Sequence, residues 1–302
     1  MDETTMLAAM IDRDGLISAQ RAYRLGLGAD RIAALQRSGI LARVAKGWYA
    51  LEPVGDAERR HVMAARALVR TFEGRAVASH QSAILWHALP VLTWSHRTVH
   101  LTRSRDEKTR SRRGLVLHPR PAGWTEVPIE VVDPETAVVQ YGHQSGLESA
   151  VVAGDAGLHG GLLSLDRLAA AVELAERVPG NAASRAALGL FDGRSESPGE
   201  SRLRVRLVTI GYSVTPQVKI PGAEGARVDL LLDDAPVVVE FDGRGKYADP
   251  KDLFREKIRE DRIRECGYEL TRFVWRELDD LSLIRERIDR AVERARRRRR
   301  QF

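Results

Sequence analysis

A β-hairpin in the last third of the chain places two carboxylates opposite each other. Apolar segments flank the turn 233–236, and each has the length and composition of a strand. A four-residue loop at this turn sets Leu230 opposite Val239, so the next pair outward is Asp229 opposite Glu240. Opposite residues of a hairpin project to the same face, with Cβ atoms about 5 Å apart. This segment therefore predicts a strand pair with two acids on one face.

Two like charges in that position repel each other and destabilise the pair. A divalent cation between them removes the repulsion, and carboxylate oxygens suit Mg²⁺ or Mn²⁺. Asp242 is two residues after Glu240 and projects to the same face. Glu200, on the helix predicted before the hairpin, is able to approach the same place. These four acids are our candidate metal ligands and, with the ion, our candidate catalytic residues.

The segments around the hairpin predict an alternation of helix and strand. Ser197 is a predicted N-cap, with Pro198 at the first helical position and Glu200 three residues after the cap. Further elements are a strand at 214–220, a helix at 249–266 and a strand at 268–274. The region 190–302 is thus predicted to be an α/β domain.

This region resembles the very-short-patch-repair endonucleases within the wider PD-(D/E)XK group. The matching segments are Glu196-Ser197-Pro198-Gly199-Glu200-Ser201, Arg227-Val228-Asp229, Val239-Glu240-Phe241-Asp242-Gly243, Lys246-Tyr247, the helix around 256–262, Gly267-Tyr268 and Arg272-Phe273-Val274-Trp275. The resemblance implies a restriction-endonuclease-like core. It also implies that Glu200, Asp229 and Glu240 hold a metal that activates water for phosphodiester hydrolysis.

The chain departs from that family at one position. The usual pattern has lysine two residues after the acidic ligand, where this chain has Asp242. Lys246 and Lys257 are the nearest candidates to supply the missing cation beside a phosphate. Two plainer interpretations stay open: Asp242 forms a surface ion pair with Arg227, and Glu200 only caps its helix.

The first fifty-two residues predict a winged helix. Three short helices, the second and third beginning at Ser18 and Asp30 as caps, are followed by a hairpin that turns at Lys46-Gly47. In this fold the third helix enters the major groove and the hairpin touches the backbone. The predicted DNA contacts are Arg31, Gln36, Arg37, Arg43 and Lys46, joined by Arg255, Arg259 and Arg262 on one face of the helix at 249–266. That second set is equally compatible with a solvated stripe.

The run Arg43-Val44-Ala45-Lys46-Gly47-Trp48-Tyr49 and the segment before it resemble the winged helix of AbiEi-type antitoxins. Residues 55–180 are similar to the middle region of those proteins, and no catalytic set is evident there. Its histidines, His80, His87 and His100, are predicted to be ordinary surface or core residues. The resemblance adds DNA and a cognate toxin or other defence partner as expected partners.

The overall composition is basic, with 48 Lys plus Arg against 42 Asp plus Glu and a formal charge of +6. An arginine-rich chain suits a polyanion, although a codon bias towards arginine gives the same composition. A single cysteine excludes an intrachain disulfide framework. An acidic N-terminus and the lack of long apolar runs predict a cytoplasmic protein without a membrane span.

Three functions are compatible with these features. The first is a Mg²⁺- or Mn²⁺-dependent DNA endonuclease of phage defence or DNA repair, and a homodimer would suit cleavage of both strands. The second is a noncatalytic antitoxin or transcriptional repressor that uses the nuclease fold as a binding platform. The third is a protein-interaction module paired with a neighbouring toxin.

Overall fold

The computed structural model describes residues 7, 10–92, 95, 97–104, 108–120, 130–176, 178, 180–243 and 250–299. These residues form eleven α-helices and three sheets, so the predicted α/β multidomain fold is confirmed. The chain divides into two compact units, Met1–Gly146 with Arg167–Ala182 and Leu147–Asp166 with Ala183–Phe302. Residues 147–166, assigned to the middle domain from sequence, group with the C-terminal unit. No helix in the described part of the chain is long and apolar enough to cross a bilayer.

The first unit begins with the element order of a winged helix. Leu7 and Met10 are helical, and they are followed by β1 (Leu16–Ser18), α1 (Ala19–Arg24), α2 (Ala29–Arg37), β2 (Leu41–Ala45) and β3 (Trp48–Leu51). The strands form an antiparallel sheet in the order β1-β3-β2. A core that includes Leu7, Ile17, Ile32 and Leu35 holds the helices against this sheet.

The ends of these elements follow from single residues. Ser18 caps α1, as predicted, and its side chain accepts a hydrogen bond from the Arg21 backbone. The prediction that Asp30 caps the next helix is wrong, because α2 already begins at Ala29 and its N-cap is Gly28. Gly47 has φ of 76°, a conformation that glycine adopts without a steric penalty, and it turns β2 into β3.

The rest of the first unit is a second sheet with helices around it. Its elements are α3 (Ala57–Phe72), β4 (Ala76–Ala78), α4 (His80–Trp86), β5 (Val99–Arg103), β6 (Arg110–Arg112), β7 (Leu115–His118) and α5 (Pro134–Ser145). The strand order is β4-β5-β7-β6, with β5 and β7 parallel. Next, α6 (Leu147–His159) belongs to the second unit, and α7 (Leu165–Leu174) and α8 (Asn181–Leu188) each cross the boundary.

The second unit is built on one mixed sheet of four strands. Its elements are α9 (Pro198–Thr209), β8 (Val214–Lys219), β9 (Arg227–Leu232), β10 (Val237–Phe241), α10 (Pro250–Glu265), β11 (Glu269–Phe273), a 3-10 turn (Trp275–Glu277) and α11 (Leu281–Arg299). The order is β11-β10-β9-β8: β8 to β10 form an antiparallel meander, and β11 runs parallel to β10. A parallel pair needs a crossover, and α10 supplies it.

Apolar cores cover both faces of this sheet. Leu230 and Leu232 pack with α9 and α11, whereas Val228 and Val218 pack with Ile263 of α10. Strict alternation along β9 would put Val228, Leu230 and Leu232 on one face of the sheet. Gln217 interrupts the β8–β9 pairing between Pro216–Leu230 and Val218–Val228, and its φ is 57°. The ribbon therefore changes face at this point.

Candidate functional site

The predicted hairpin register is confirmed where the strands pair. Val239 lies opposite Leu230, and Val238 lies opposite Leu231. Beyond that pair the backbone ladder ends, because the Phe241 N–H donates to Asp229 Oδ2 at 2.9 Å. The Asp229 side chain thus binds the partner strand directly at the level of Glu240.

Glu240 lies in a nearly closed environment and is held by two arginines. Its residue surface is 6% exposed. Oε1 accepts from Arg259 Nη2 at 2.5 Å, and Oε2 accepts from Arg272 Nε at 3.0 Å. Arg272 is also the residue directly across from Glu240 in the parallel β10–β11 register. Burial opposes the charge on each arginine, but attraction and hydrogen bonding from Glu240 outweigh it and raise the pKa of both.

Arg259 reaches both strands of the hairpin. Its Nη2 donates to Glu240 on β10 and, at 2.8 Å, to the Arg227 carbonyl on β9. Burial lowers the pKa of Arg259. The negative charges of Glu240, Glu256 and Asp229 raise it, in decreasing order of effect. A guanidinium therefore offsets the repulsion between the two carboxylates, which is the role that the sequence predicted for a metal ion.

The arginines belong to a wider ionic network. Arg259 Nη1 also binds Glu256 at 2.9 Å, and Arg272 contacts both Glu256 and Glu260. The sequence motifs predict none of Arg272, Glu256 and Glu260 as site residues. The signal that could have found Arg272 is the predicted last strand. If that strand pairs with β10, a basic residue beside a buried acid on the neighbouring strand is expected to form an ion pair with it.

Glu200 lies at the same level of the sheet, on α9. Ser197 caps that helix as predicted and accepts from the Glu200 backbone. The Glu200 carboxylate accepts from the Glu196 backbone at 3.0 Å and from Gln217 Nε2 at 2.8 Å. Gln217 falls opposite Asp229 in the β8–β9 register. Glu200 is thus tied to the position facing Asp229, and Gln217 is a further residue that sequence reasoning missed.

The remaining predicted site residues are scattered. Asp242 is half-buried, and its backbone N–H donates to Phe273 O. Arg227 binds Glu196 at 2.7 Å, and its pairing with Asp242 stays a prediction. Lys257 is exposed on α10. Lys246 lies outside the described residues.

A divalent metal does not fit this arrangement of side chains. Among the residues that the structure describes, no three or more His, Cys, Asp or Glu side chains are placed to hold an ion. Both Glu240 oxygens face arginines, and one Asp229 oxygen accepts a backbone N–H. Mg²⁺ would need several free oxygen ligands at once.

The winged helix presents a basic surface. Arg31, Arg37, Arg43 and Lys46 are exposed, and Gln36 is half-buried. Residues 16–51 contain six basic residues and one acid, Asp30. On the second unit, Arg255 and Arg262 are exposed on α10, and Arg262 pairs with Glu224, whereas Arg259 turns inward to Glu240.

The first unit also holds a cluster of imidazoles. The rings of His80 and His118 stack at 3.6 Å between centroids, and His100 Nδ1 lies 2.9 Å from His118 Nε2. Burial lowers the pKa of His100 to about 3 and that of His118 to about 4. The cluster is therefore neutral at physiological pH.

Comparisons with known proteins give few leads. No protein-family model matches the chain. The uncharacterized proteins MT2308 and Rv2248, from two strains of Mycobacterium tuberculosis, are each 30% identical to it over 125 residues. The match takes in 39% of this chain and 45% of each relative, so the chain spans less than half the length of these relatives. The crystal structure of the RV2827C protein from Mycobacterium tuberculosis aligns with 66% of this chain and 78% of its own, at 18% identity and a TM-score of 0.38.

Proposed function

We propose that this protein binds DNA through its winged helix and acts without catalysis, as a repressor or an antitoxin. The observation that carries this proposal is the guanidinium of Arg259, which spans both strands beside Asp229 and Glu240. A cation supplied by the chain leaves those acids with no need for a metal. In such a protein the second unit would serve as a platform rather than a catalyst.

The winged helix supports the DNA-binding part of the proposal. Its exposed basic residues lie on α2 and on the β2–β3 hairpin, the two elements that contact DNA in this fold. Nearby acids are neutralised within the unit, because Asp12 and Asp14 bind Arg66 and Arg70 of α3. A net positive surface of this kind attracts phosphates and raises the rate of encounter.

Partners and location follow from this proposal as expectations. A repressor acts on DNA in the cytoplasm, and many such proteins bind two half-sites as a homodimer. An antitoxin would in addition need a toxin to bind.

A metal-dependent endonuclease is the second candidate. The order α9, three antiparallel strands, α10 and a parallel strand favours it, as does the position of Asp229 at the level of Glu240. Glu200 is held nearby through Gln217. This function would need Arg259 to leave Glu240 and Mg²⁺ or Mn²⁺ to take its place.

One experiment with two readouts separates the candidates. Binding of a fluorescent duplex of random sequence would be measured at low salt for the wild type, Lys46→Glu and Lys219→Glu. Lys219 is an exposed lysine on β8 of the other unit and is the matched control. In parallel, supercoiled plasmid would be incubated with Mg²⁺ or Mn²⁺ and the wild type, Asp229→Ala or Glu240→Ala.

The proposal expects binding that Lys46→Glu weakens by about tenfold or more, an unaffected control, and intact plasmid. If the wild type nicks the plasmid and neither acid variant does, the endonuclease function replaces the proposal. A wild type that fails to bind any duplex would refute the DNA-binding function.

A further inference from the structure

A cleft lined by arginines lies beside β11, the edge strand of the sheet in the second unit. Its volume is about 420 Å³. Its arginines are Arg264, Arg272, Arg287, Arg290 and Arg294, and Glu260 is also in its lining. Five guanidinium groups and one carboxylate thus surround a space at the β11 edge of the sheet. Such a lining selects for an anion.

One side of the cleft is a row of arginines on α11. Arg287, Arg290 and Arg294 follow the spacing i, i+3, i+7, which puts them on one side of a helix. Arg298, one turn after Arg294, continues this row and binds Glu269, as Arg294 does. The four arginines span about 17 Å of the helix. The basic row therefore extends beyond the cleft, as a polymer of anionic groups requires and a single small anion does not.

The acids that pair with these arginines leave them able to exchange partners. Arg290 binds Glu286 one turn away, and the two side chains are 66% and 54% exposed. An exposed pair of this kind is weak because water screens it, so a phosphate with better geometry can displace the carboxylate. Arg294 is half-exposed, and its partner Glu269 is buried but is also bound by Arg298.

The sheet edge supports the same ligand. Arg287 donates to the Arg272 carbonyl at 2.5 Å and lies over the Phe273 ring, which fixes one guanidinium against the strand. An arginine fixed in this way loses less freedom when it binds a second group. Arginine forks match phosphate oxygens in pairs.

We propose that this cleft and the adjoining row on α11 bind backbone phosphates of DNA, as a contact surface separate from the winged helix. This inference rests on the proposed DNA-binding function. It gives the second unit a task that needs neither a metal nor catalysis: to hold the phosphate backbone of DNA.

The test compares Arg290→Glu with Arg296→Glu in the full chain. Arg296 is an exposed arginine of the same helix, roughly 200° around it from Arg294 and away from the cleft. Affinity for a duplex of about 30 base pairs would be measured across a salt series, together with Lys46→Glu. Equal thermal transitions would show that the variants fold.

We expect Arg290→Glu to weaken binding about tenfold and to reduce the slope of log affinity against log salt by about one, and Arg296→Glu to change affinity less than threefold. Equal effects of the two reversals would overturn the inference and leave general charge as the cause. If only Lys46→Glu weakens binding, the cleft fails while the DNA-binding function stands. A wild type that binds no duplex removes both.

Discussion

Replacing Arg259 with alanine tests whether a side chain holds the place predicted for a metal. The Glu240 side chain is 8% exposed and that of Arg259 is 27% exposed. Removing one partner of a fully buried pair costs about 3–5 kcal/mol, and an exposed pair contributes about 0–1 kcal/mol. Arg259 lies between these limits, and Arg272 remains on Glu240. We therefore expect a loss of about 2 kcal/mol in the free energy of unfolding.

Thermal denaturation followed by circular dichroism measures this loss. For a unit of this size, 2 kcal/mol corresponds to a fall in Tm of about 6 °C. Arg262→Ala is the matched control, because Arg262 is on the same helix and pairs with Glu224, which is 70% exposed. Its effect should stay within about 0.5 kcal/mol.

Divalent ions give the second half of the test. Without Arg259, the Asp229 and Glu240 carboxylates face each other with less cation nearby. An ion at ten times its dissociation constant would then restore about 1.4 kcal/mol. The wild type should show no stabilisation by Mg²⁺ or Mn²⁺. A stabilised wild type, or an Arg259→Ala variant as stable as Arg262→Ala, would refute the reasoning.

Three further predictions concern the framework around the sites. Asp155→Ala should destabilise the second unit by about 3 kcal/mol or more in urea unfolding, because it leaves Arg204 buried without its 2.7 Å partner; an unchanged midpoint would contradict this. Gly199→Val should prevent stable folding or lower Tm steeply, since even a Cβ there would lie 2.1 Å from the Phe241 ring, and a variant with wild-type Tm would show that the ring moves freely. Burial lowers the pKa of His118 from 6.5 to about 4 in the folded protein, so the unfolded chain binds more protons below pH 6.5, and stability should fall between pH 6.5 and 4 by about 1.4 kcal/mol per unit. His118→Gln should reduce that slope by about 1.4 kcal/mol per pH unit, while His100 still contributes because burial lowers its pKa to about 3; an identical slope would exclude His118 as a cause.

The sequence predicted the hairpin well because its signals are local. The turn length alone sets Leu230 opposite Val239, and the structure has that pair. Ser197 lies just before Pro198 and Glu200, and it caps α9 as such a pattern requires. In both cases residues close in the chain determine the geometry.

The partners of the two acids could not be derived in the same way. Arg259 is nineteen residues from Glu240, and its direction depends on how α10 packs across the sheet. By sequence it was one of three similar arginines on that helix, and only packing separates it from Arg255 and Arg262. The guanidinium contacts of Glu240 are thus a tertiary feature that the sequence pattern does not show.

The change of face at Gln217 has a consequence for how the second unit responds to stress. One two-stranded ribbon contributes Leu230 to the core under α9 and α11, and Val228 to the core under α10. Loss of packing in either core therefore destabilises the same pair of strands. Heat or denaturant should then unfold the two cores together. Hydrogen exchange should accordingly find a single protected unit here rather than a stable half and a fraying half.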